Sequence, residues 1–282
     1  MEETQLWQVR DLILDLRDRG EPGFGAEVLL PWLAEHPEVT TELREIGRPD
    51  SHRRKVTDDV TFGLYAVSRL AEILIAPHQP VDDDPALQNW TTGEPWWIGP
   101  LPSPTAWAEF LPAAGAVEIA EDAFHPFFHE VVSVLPADDP DEPPTLVDQL
   151  WPGAFLGAMV LVRAGVTVRA GANHLDPVIA TKSCLYWAWW RRHRLARDLS
   201  HGWGSNSQWG TDFRRDYLVG DELHYNVDLR LNPQMSRTAD VSDLSPEDRR
   251  ELLRWRHSRT IDLGDDEWPY YDWFVEPRRP AA

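Results

Sequence analysis

The chain has 282 residues, of which 42% are hydrophobic, and this is enough to build a large core with room for a pocket. Its net charge of −20 argues against general binding to DNA or RNA and against docking on anionic membranes, because both need a basic surface. There is no run of about 18 apolar residues and no basic start typical of a secretory signal, so we expect a soluble cytoplasmic protein. The one cysteine, Cys184, cannot form an internal disulfide.

The first third of the chain carries helix patterns. Thr4 can cap a helix over residues 6–16, where apolar side chains recur every three or four positions. Short helices are predicted over 28–34 and 39–46, and a longer one over 62–75.

Residues 77–105 interrupt these patterns. Seven prolines in this segment forbid regular structure, and three tryptophans favour packing against the body of the protein. We predict a single globular domain over 1–282. It allows a division into a helical subdomain 1–76, a crossing loop 77–105 and an α+β body 106–282.

Strand signals follow the crossing loop. The valine-rich segment 129–135 favours a strand, as does 223–231. Segments 158–162 and 166–169 together predict a β-hairpin that turns around Gly165.

A long helix is predicted at about 177–199. Asp176 followed by Pro177 is typical of a helix start, and the middle of the segment is apolar on every face, as in buried helices. The predicted fold class is therefore α+β. A helical N-terminal third packs on a small, mostly antiparallel sheet, and the helix at about 177–199 is buried.

The strongest signal for a functional site is the loop 200–217. It combines glycines, which let the backbone approach a ligand closely, with almost every kind of hydrogen-bonding side chain. We predict His201 and Asp212 as the acid or base of a catalytic site. The residues predicted to bind the ligand are Trp203, Asn206, Gln208, Trp209, Arg214, Arg215 and, from a preceding loop, His174. The alternative is a structural loop in which tryptophans act as anchors and Asp–Arg pairs close the surface.

The charge of this region favours an anionic ligand. Nine basic and four acidic residues lie between Arg163 and Asp216, a surplus of five positive charges in an acidic chain. Neutralisation of these charges by the acidic remainder is the alternative. The marked preference for arginine over lysine is typical of a GC-rich bacterial genome.

His125 and His129 are the first metal-ligand candidates, and further ligands would have to come from His174, Asp176, His201 or His224. Histidines four apart share a face of a helix and can bind zinc together. The valines that follow them favour a strand, in which they would lie about 13 Å apart. We therefore predict no metal site, and the sequence identifies no cofactor.

Three functions agree with these features. The first is an enzyme or binding protein for a small polar molecule, anions included, that uses the loop 200–217. The second is an acidic interaction protein, of the kind that neutralises a toxin, with a basic protein as its partner. The third is a carbohydrate-binding protein, because the chain has 15 tryptophans whose faces could stack on sugars.

Overall fold

The computed structural model describes residues 4–19, 25–78, 102–178, 213–231, 244–255, 260 and 272–278. The α-helices in these ranges are α1 (Gln8–Arg19), α2 (Leu30–Glu35), α3 (Pro37–Ile46), α4 (Asp58–Ile75), α5 (Ala106–Ala114), α6 (Val227–Leu231) and α7 (Pro246–Trp255). The strands are β1 (Ala116–Glu118), β2 (His129–Pro136), β3 (Thr145–Trp151), β4 (Ala154–Leu156), β5 (Met159–Val162), β6 (Ala164–Ala170), β7 (Tyr217–Val219), β8 (Glu222–Tyr225) and β9 (Phe274–Pro277). A π-helical turn at Gly25–Leu29 and 3-10 turns at Pro49–Arg53 and Ala76–His78 complete the helical structure of these ranges.

The strands form two sheets. Six of them make an antiparallel sheet in the order β1-β4-β5-β7-β8-β9. The other three make a small sheet in the order β2-β6-β3, in which β6 runs parallel to β2 and antiparallel to β3. The predicted α+β class with mostly antiparallel strands is confirmed.

The pairing of the strands corrects two predictions. The hairpin around Gly165 is wrong, because β5 and β6 lie in different sheets and β5 pairs with β4 instead. β4 and β5 form the hairpin that is present, and its turn is at Gly157, which has a φ of +59°. The predicted strand 223–231 is also wrong in its second half: β8 ends at Tyr225, Asn226 turns with a φ of 50°, and α6 follows.

Gly165 serves close packing instead of a turn. A β-carbon at this position would lie 2.2 Å from the indole ring of Trp151. Real β-carbons do not approach other atoms so closely, so only glycine lets the Trp151 ring lie flat on β6.

The first helix follows its sequence pattern. Leu6 and Ile13 are fully buried, and the chain before the helix is fixed by Thr4, whose Oγ1 accepts a hydrogen bond from the Leu6 amide at 3.3 Å. Thr4 also donates to Glu42 of α3 at 2.6 Å. Gly63 of α4 faces Leu6 so closely that a β-carbon would lie 2.4 Å from the Leu6 Cβ atom, so glycine lets the chain entering α1 pack directly on α4.

The N-terminal helices pack on the sheets through one shared apolar core. Leu70 of α4, Trp107 of α5, Met159 of β5 and Val166 of β6 all belong to it. The predicted packing of the helical third on sheet structure is therefore confirmed. Most of the predicted crossing loop, residues 79–101, lies outside the described ranges.

The predicted helix at about 177–199 is described only at its start. The Asp176 Oδ1 atom accepts a hydrogen bond from the Val178 amide at 2.8 Å, which is the contact expected of a capping residue. Residues 179–199 lie outside the described ranges. Within the described part of the chain, none of the helices combines the length and apolar character needed to cross a bilayer.

Candidate functional site

The structure describes only the end of the loop that the sequence singles out. Residues 201–212 lie outside the described ranges, and with them His201, Trp203, Asn206, Gln208, Trp209 and Asp212. Residues 213–217 are described, and they lead into β7. His174 is also described: its Nε2 atom lies 2.9 Å from the carbonyl oxygen of Asp141, which ties it to an exposed acidic loop.

Asp216 is the centre of a buried ionic cluster at the end of this loop. Its side chain is 1% exposed and bonds to the Arg163 Nη2 atom at 2.5 Å and the Arg214 Nη2 atom at 2.9 Å. It also accepts a hydrogen bond from the Asn226 amide at 2.7 Å. Burial opposes ionisation, but Arg214 and Arg163 outweigh it and hold the pKa of Asp216 below its usual value. The carboxylate is therefore ionised at neutral pH.

Arg215 forms a second buried network on the opposite side of the backbone. Its guanidinium is 0% exposed and contacts Asp228 at 2.6 Å and the hydroxyl of Tyr217 at 3.0 Å. It also donates to the carbonyl oxygens of Ser51 at 3.3 Å and Arg54 at 2.9 Å. Arg215 thus joins the end of the loop to a turn that precedes α4.

Tyr217 completes this network as a protonated phenol. Burial raises its pKa to about 12, against the opposing effect of Arg215. The hydroxyl can therefore donate at neutral pH, and it does so to the carbonyl oxygen of Ile46 at 2.8 Å. This bond ties β7 to the end of α3.

These contacts give Arg214 and Arg215 a defined structural role. The sequence predicts that they hold an anionic ligand, but their guanidinium groups bind the chain's own Asp216 and Asp228. This matches the alternative in which Asp–Arg pairs close the segment. Both arginines anchor residues 213–217, and a ligand contact for either of them stays a prediction.

His125 and His129 lie closer together than the sequence indicates. A strand was expected to separate them, but β2 begins only at His129, and the His129 amide donates to the His125 carbonyl at 2.9 Å across a turn. The His129 Nδ1 atom lies 3.1 Å from the His125 backbone nitrogen. The expected separation is therefore wrong, because Pro126 and the two residues after it turn the chain before the strand starts. Among the described residues, no three His, Cys, Asp or Glu side chains are placed to bind a metal ion together.

The histidine turn is connected to the ionic cluster. The Arg163 Nε atom donates to the carbonyl oxygen of Pro126 at 3.1 Å while its Nη2 atom binds Asp216. The Arg214 Nη1 atom donates to the carbonyl oxygen of Leu253, at the end of α7, at 2.7 Å. One set of buried charges therefore fixes the end of the loop, the histidine turn and α7.

Glu276 of β9 adds a second carboxylate near His125. It accepts hydrogen bonds from the Tyr225 hydroxyl at 2.7 Å and from the Arg254 Nη2 atom at 2.7 Å. Burial lowers the pKa of His125 to about 4; Glu276 opposes this, while Arg254, His129 and Arg163 favour it. We call Arg163, Arg214, Asp216, Arg254, Glu276, Tyr225 and His125 the charge cluster.

His125 is neutral at neutral pH and its tautomer follows from its contacts. Its Nδ1 atom accepts a hydrogen bond from the Phe127 amide at 3.1 Å, so the ring proton is assigned to Nε2. A neutral imidazole with a pKa of about 4 can donate a hydrogen bond from Nε2 but is a poor proton donor or acceptor at pH 7. Its chemistry is that of a hydrogen-bonding group.

The sequence gives only weak signals for most of this cluster. Arg163 is a charged residue inside an apolar run, between β5 and β6, which is typical of a buried ion pair. Glu276 lies in an aromatic segment near the end of the chain. Neither observation identifies the partner, because Arg163 and Asp216 are far apart in the chain.

Comparison with protein-family models, curated proteins and solved structures finds no match to this chain.

Proposed function

We propose that this protein binds a small polar molecule, anions included, through the loop 200–217, which ends at the charge cluster. The single observation that supports this proposal is the buried anchoring of Asp216 near the end of the loop. Asp216 is held by Arg163 and Arg214, and both arginines are themselves buried.

The physical argument concerns geometry. Burying several charges carries a large desolvation cost, and an apolar core of the same shape would hold the fold at least as well. Such a network does fix the direction in which a loop leaves the body of the protein. Binding residues are often found on loops that a rigid scaffold holds in place, because a ligand then orders fewer groups when it binds.

The polar character of the ligand follows from the side chains available. Asn206 and Gln208 offer both donors and acceptors, and His201 and Asp212 could move protons if the bound molecule reacts. His125, which Arg163 connects to Asp216 through the Pro126 carbonyl, adds a neutral hydrogen-bond donor. Binding is the core of the proposal, and catalysis by His201 or Asp212 is its extension.

A thermal-shift screen tests the proposal. The protein is heated with sugars, amino acids, carboxylates and phosphate esters in turn, and a ligand at about 100 times its Kd stabilises the native state by about 2.7 kcal/mol. At least one compound should raise the Tm by several degrees. The double variant Asn206→Ala/Gln208→Ala should lose this shift, whereas Gln149→Ala, which truncates an exposed amide on β3, should keep it.

Two outcomes contradict the proposal. A shift that persists unchanged in the double variant places the binding site elsewhere. A panel in which no compound stabilises the protein argues against a small polar ligand. It turns attention to the exposed carboxylates of Asp138 and Asp139 and to a basic protein partner.

A further inference from the structure

His52 and His224 bring two buried imidazoles into contact from distant parts of the chain. Their ring centroids lie 4.6 Å apart, and each residue is about 5% exposed. His52 belongs to the 3-10 turn Pro49–Arg53, and His224 lies in β8, opposite Tyr217 of β7. The turn therefore rests on the six-stranded sheet through this pair of rings.

The hydrogen bonds of His52 assign one ring nitrogen as donor and the other as acceptor. The His52 Nδ1 atom contacts the Pro49 carbonyl oxygen, and the His52 Nε2 atom accepts a hydrogen bond from the Arg53 Nε atom at 3.2 Å. Neither ring nitrogen of His224 has a hydrogen-bond partner among the described residues. Glu222 comes nearest, with its Oε2 atom 3.3 Å from the His224 Nε2 atom, but its side chain is 63% exposed.

The surroundings of the pair disfavour a proton on His224. Four titratable or charged groups of the described ranges lie beside the rings: Glu222 from β8, Tyr217 from β7, Arg53 from the turn and Arg230 from α6. Arg215, from the segment before β7, contacts the carbonyl oxygen of the neighbouring Ser51, and Asp228 of α6 is its partner. Asp228 is bound by Arg215, which leaves the exposed Glu222 as the nearest counter-charge. Burial lowers the pKa of His224 most, His52 lowers it further, and Glu222 opposes them without restoring the usual value.

Hydrogen bonds also hold the turn. Arg215 donates to the carbonyl oxygens of Ser51 and Arg54, and the Ser51 hydroxyl donates to the carbonyl oxygen of Glu45 at 2.6 Å, whereas the side chains of Asp50, Arg53 and Arg54 are exposed. A segment with exposed side chains and a small number of buried contacts opens locally at a lower free energy than the whole protein unfolds. The imidazole contact is one of the few buried side-chain contacts among these, so a change at the ring pair alters how easily the turn opens.

We propose that the His52–His224 contact is a proton-sensitive latch, which holds the turn Pro49–Arg53 against the sheet at neutral pH and releases it in acid. In the open state the His224 imidazole reaches water and titrates near the ordinary histidine pKa of about 6.5. The closed state binds that proton less well. The open state is therefore favoured as the pH falls below about 6.5, and the latch is fully closed above it.

Hydrogen exchange measured by mass spectrometry tests the latch. The amides of Ser51 and Arg54 donate within the turn, to the carbonyl oxygens of Arg48 at 2.9 Å and Ser51 at 3.0 Å, so their protection reports its closure. Protection factors are compared at pH 7.5, 6.5 and 5.5 after correction for the intrinsic exchange rate. We expect protection in the turn to fall by about tenfold across this range, while peptides from α4 stay protected.

Three variants separate the latch from general acid sensitivity. His224→Phe keeps a ring of similar size but cannot take a proton, so protection in the turn should no longer depend on pH. His52→Asn keeps a donor towards the Pro49 carbonyl but leaves the buried His224 in place, so protection in the turn should still fall in acid. His125→Asn removes a titrating group at a different site and should leave the response of the turn as it is in the wild type.

The latch is refuted if protection in the wild-type turn stays constant down to pH 5.5. It is also refuted if His224→Phe loses protection in the same way as the wild type. Should His224→Phe fail to fold, His224→Leu decides the question: an unchanged acid response in that variant refutes the latch, and a flat response supports it.

Discussion

Replacing Asp216 with asparagine should destabilise the protein more than any substitution of an exposed carboxylate. The variant keeps the size of the side chain and removes the charge that Arg163 and Arg214 share at 2.5 and 2.9 Å. Removing one partner of a buried ion pair lowers the free energy of unfolding by about 3–5 kcal/mol, because the remaining charge stays in a poorly solvated position. For a protein of this size the loss corresponds to a fall in Tm on the order of 10 °C.

Urea unfolding followed by tryptophan fluorescence gives the free energy of unfolding of the wild type and the variant. Asp148→Asn, which changes an exposed residue of β3, is the matched control and should stay within about 0.5 kcal/mol of the wild type. Arg214→Met should cost less than Asp216→Asn, because it leaves Asp216 paired with Arg163. A loss below about 1 kcal/mol in Asp216→Asn would show that these charges are not buried together and would refute the reasoning.

The remaining predictions concern His125 and three glycines. Because the pKa of His125 is lowered to about 4 in the folded protein, stability should fall as the pH drops from about 6.5 towards 4, by up to about 3 kcal/mol. His125→Asn should remove this part of the pH dependence in urea unfolding at pH 7.5 and 4.5, and an unchanged dependence would assign it to other groups. Gly157→Ala should lower the urea midpoint more than Gly220→Ala: both residues have a φ near +60°, but a β-carbon at Gly157 lies 2.3 Å from a backbone oxygen and one at Gly220 meets no atom within 4 Å. The Gly220 variant should lose only about 1 kcal/mol of stability, from backbone strain, and an equal loss of stability in the two variants would contradict the packing argument. Gly165→Ala should cost more than about 2 kcal/mol in the same assay, since it displaces the Trp151 ring, and a loss below 1 kcal/mol would show that the ring moves freely.

The sequence by itself determined the local structure of this protein. The spacing of apolar residues identifies α1 and most of α4, and Asp176 before a proline marks a helix start whose capping bond the structure contains. These features depend on residues a few positions apart, so the sequence holds all the information that they need. The fold class follows from them, because helix patterns followed by strand signals such as the valine-rich segment 129–135 favour an α+β arrangement.

The candidate site was predictable only in part. The Asp–Arg pairing that anchors residues 213–217 was foreseen as an alternative, because the residue types stand side by side in the chain. Its partners Arg163 and Asp228, and the approach of Glu276 to His125, depend on how β5, α6 and β9 assemble. No local pattern carries that information.

Only the tertiary structure decided which strands pair and which charges meet. Gly165 and Gly157 are both plausible turn residues. Gly165 packs against the Trp151 ring, and Gly157 packs against Gly47 at the end of α3, which is far from it in the chain. His52 and His224 likewise come together only when the turn before α4 settles on β7 and β8. The spacing of apolar residues specifies which face of a helix or strand is buried. Which other element packs on that face depends on shape and charge across the whole fold.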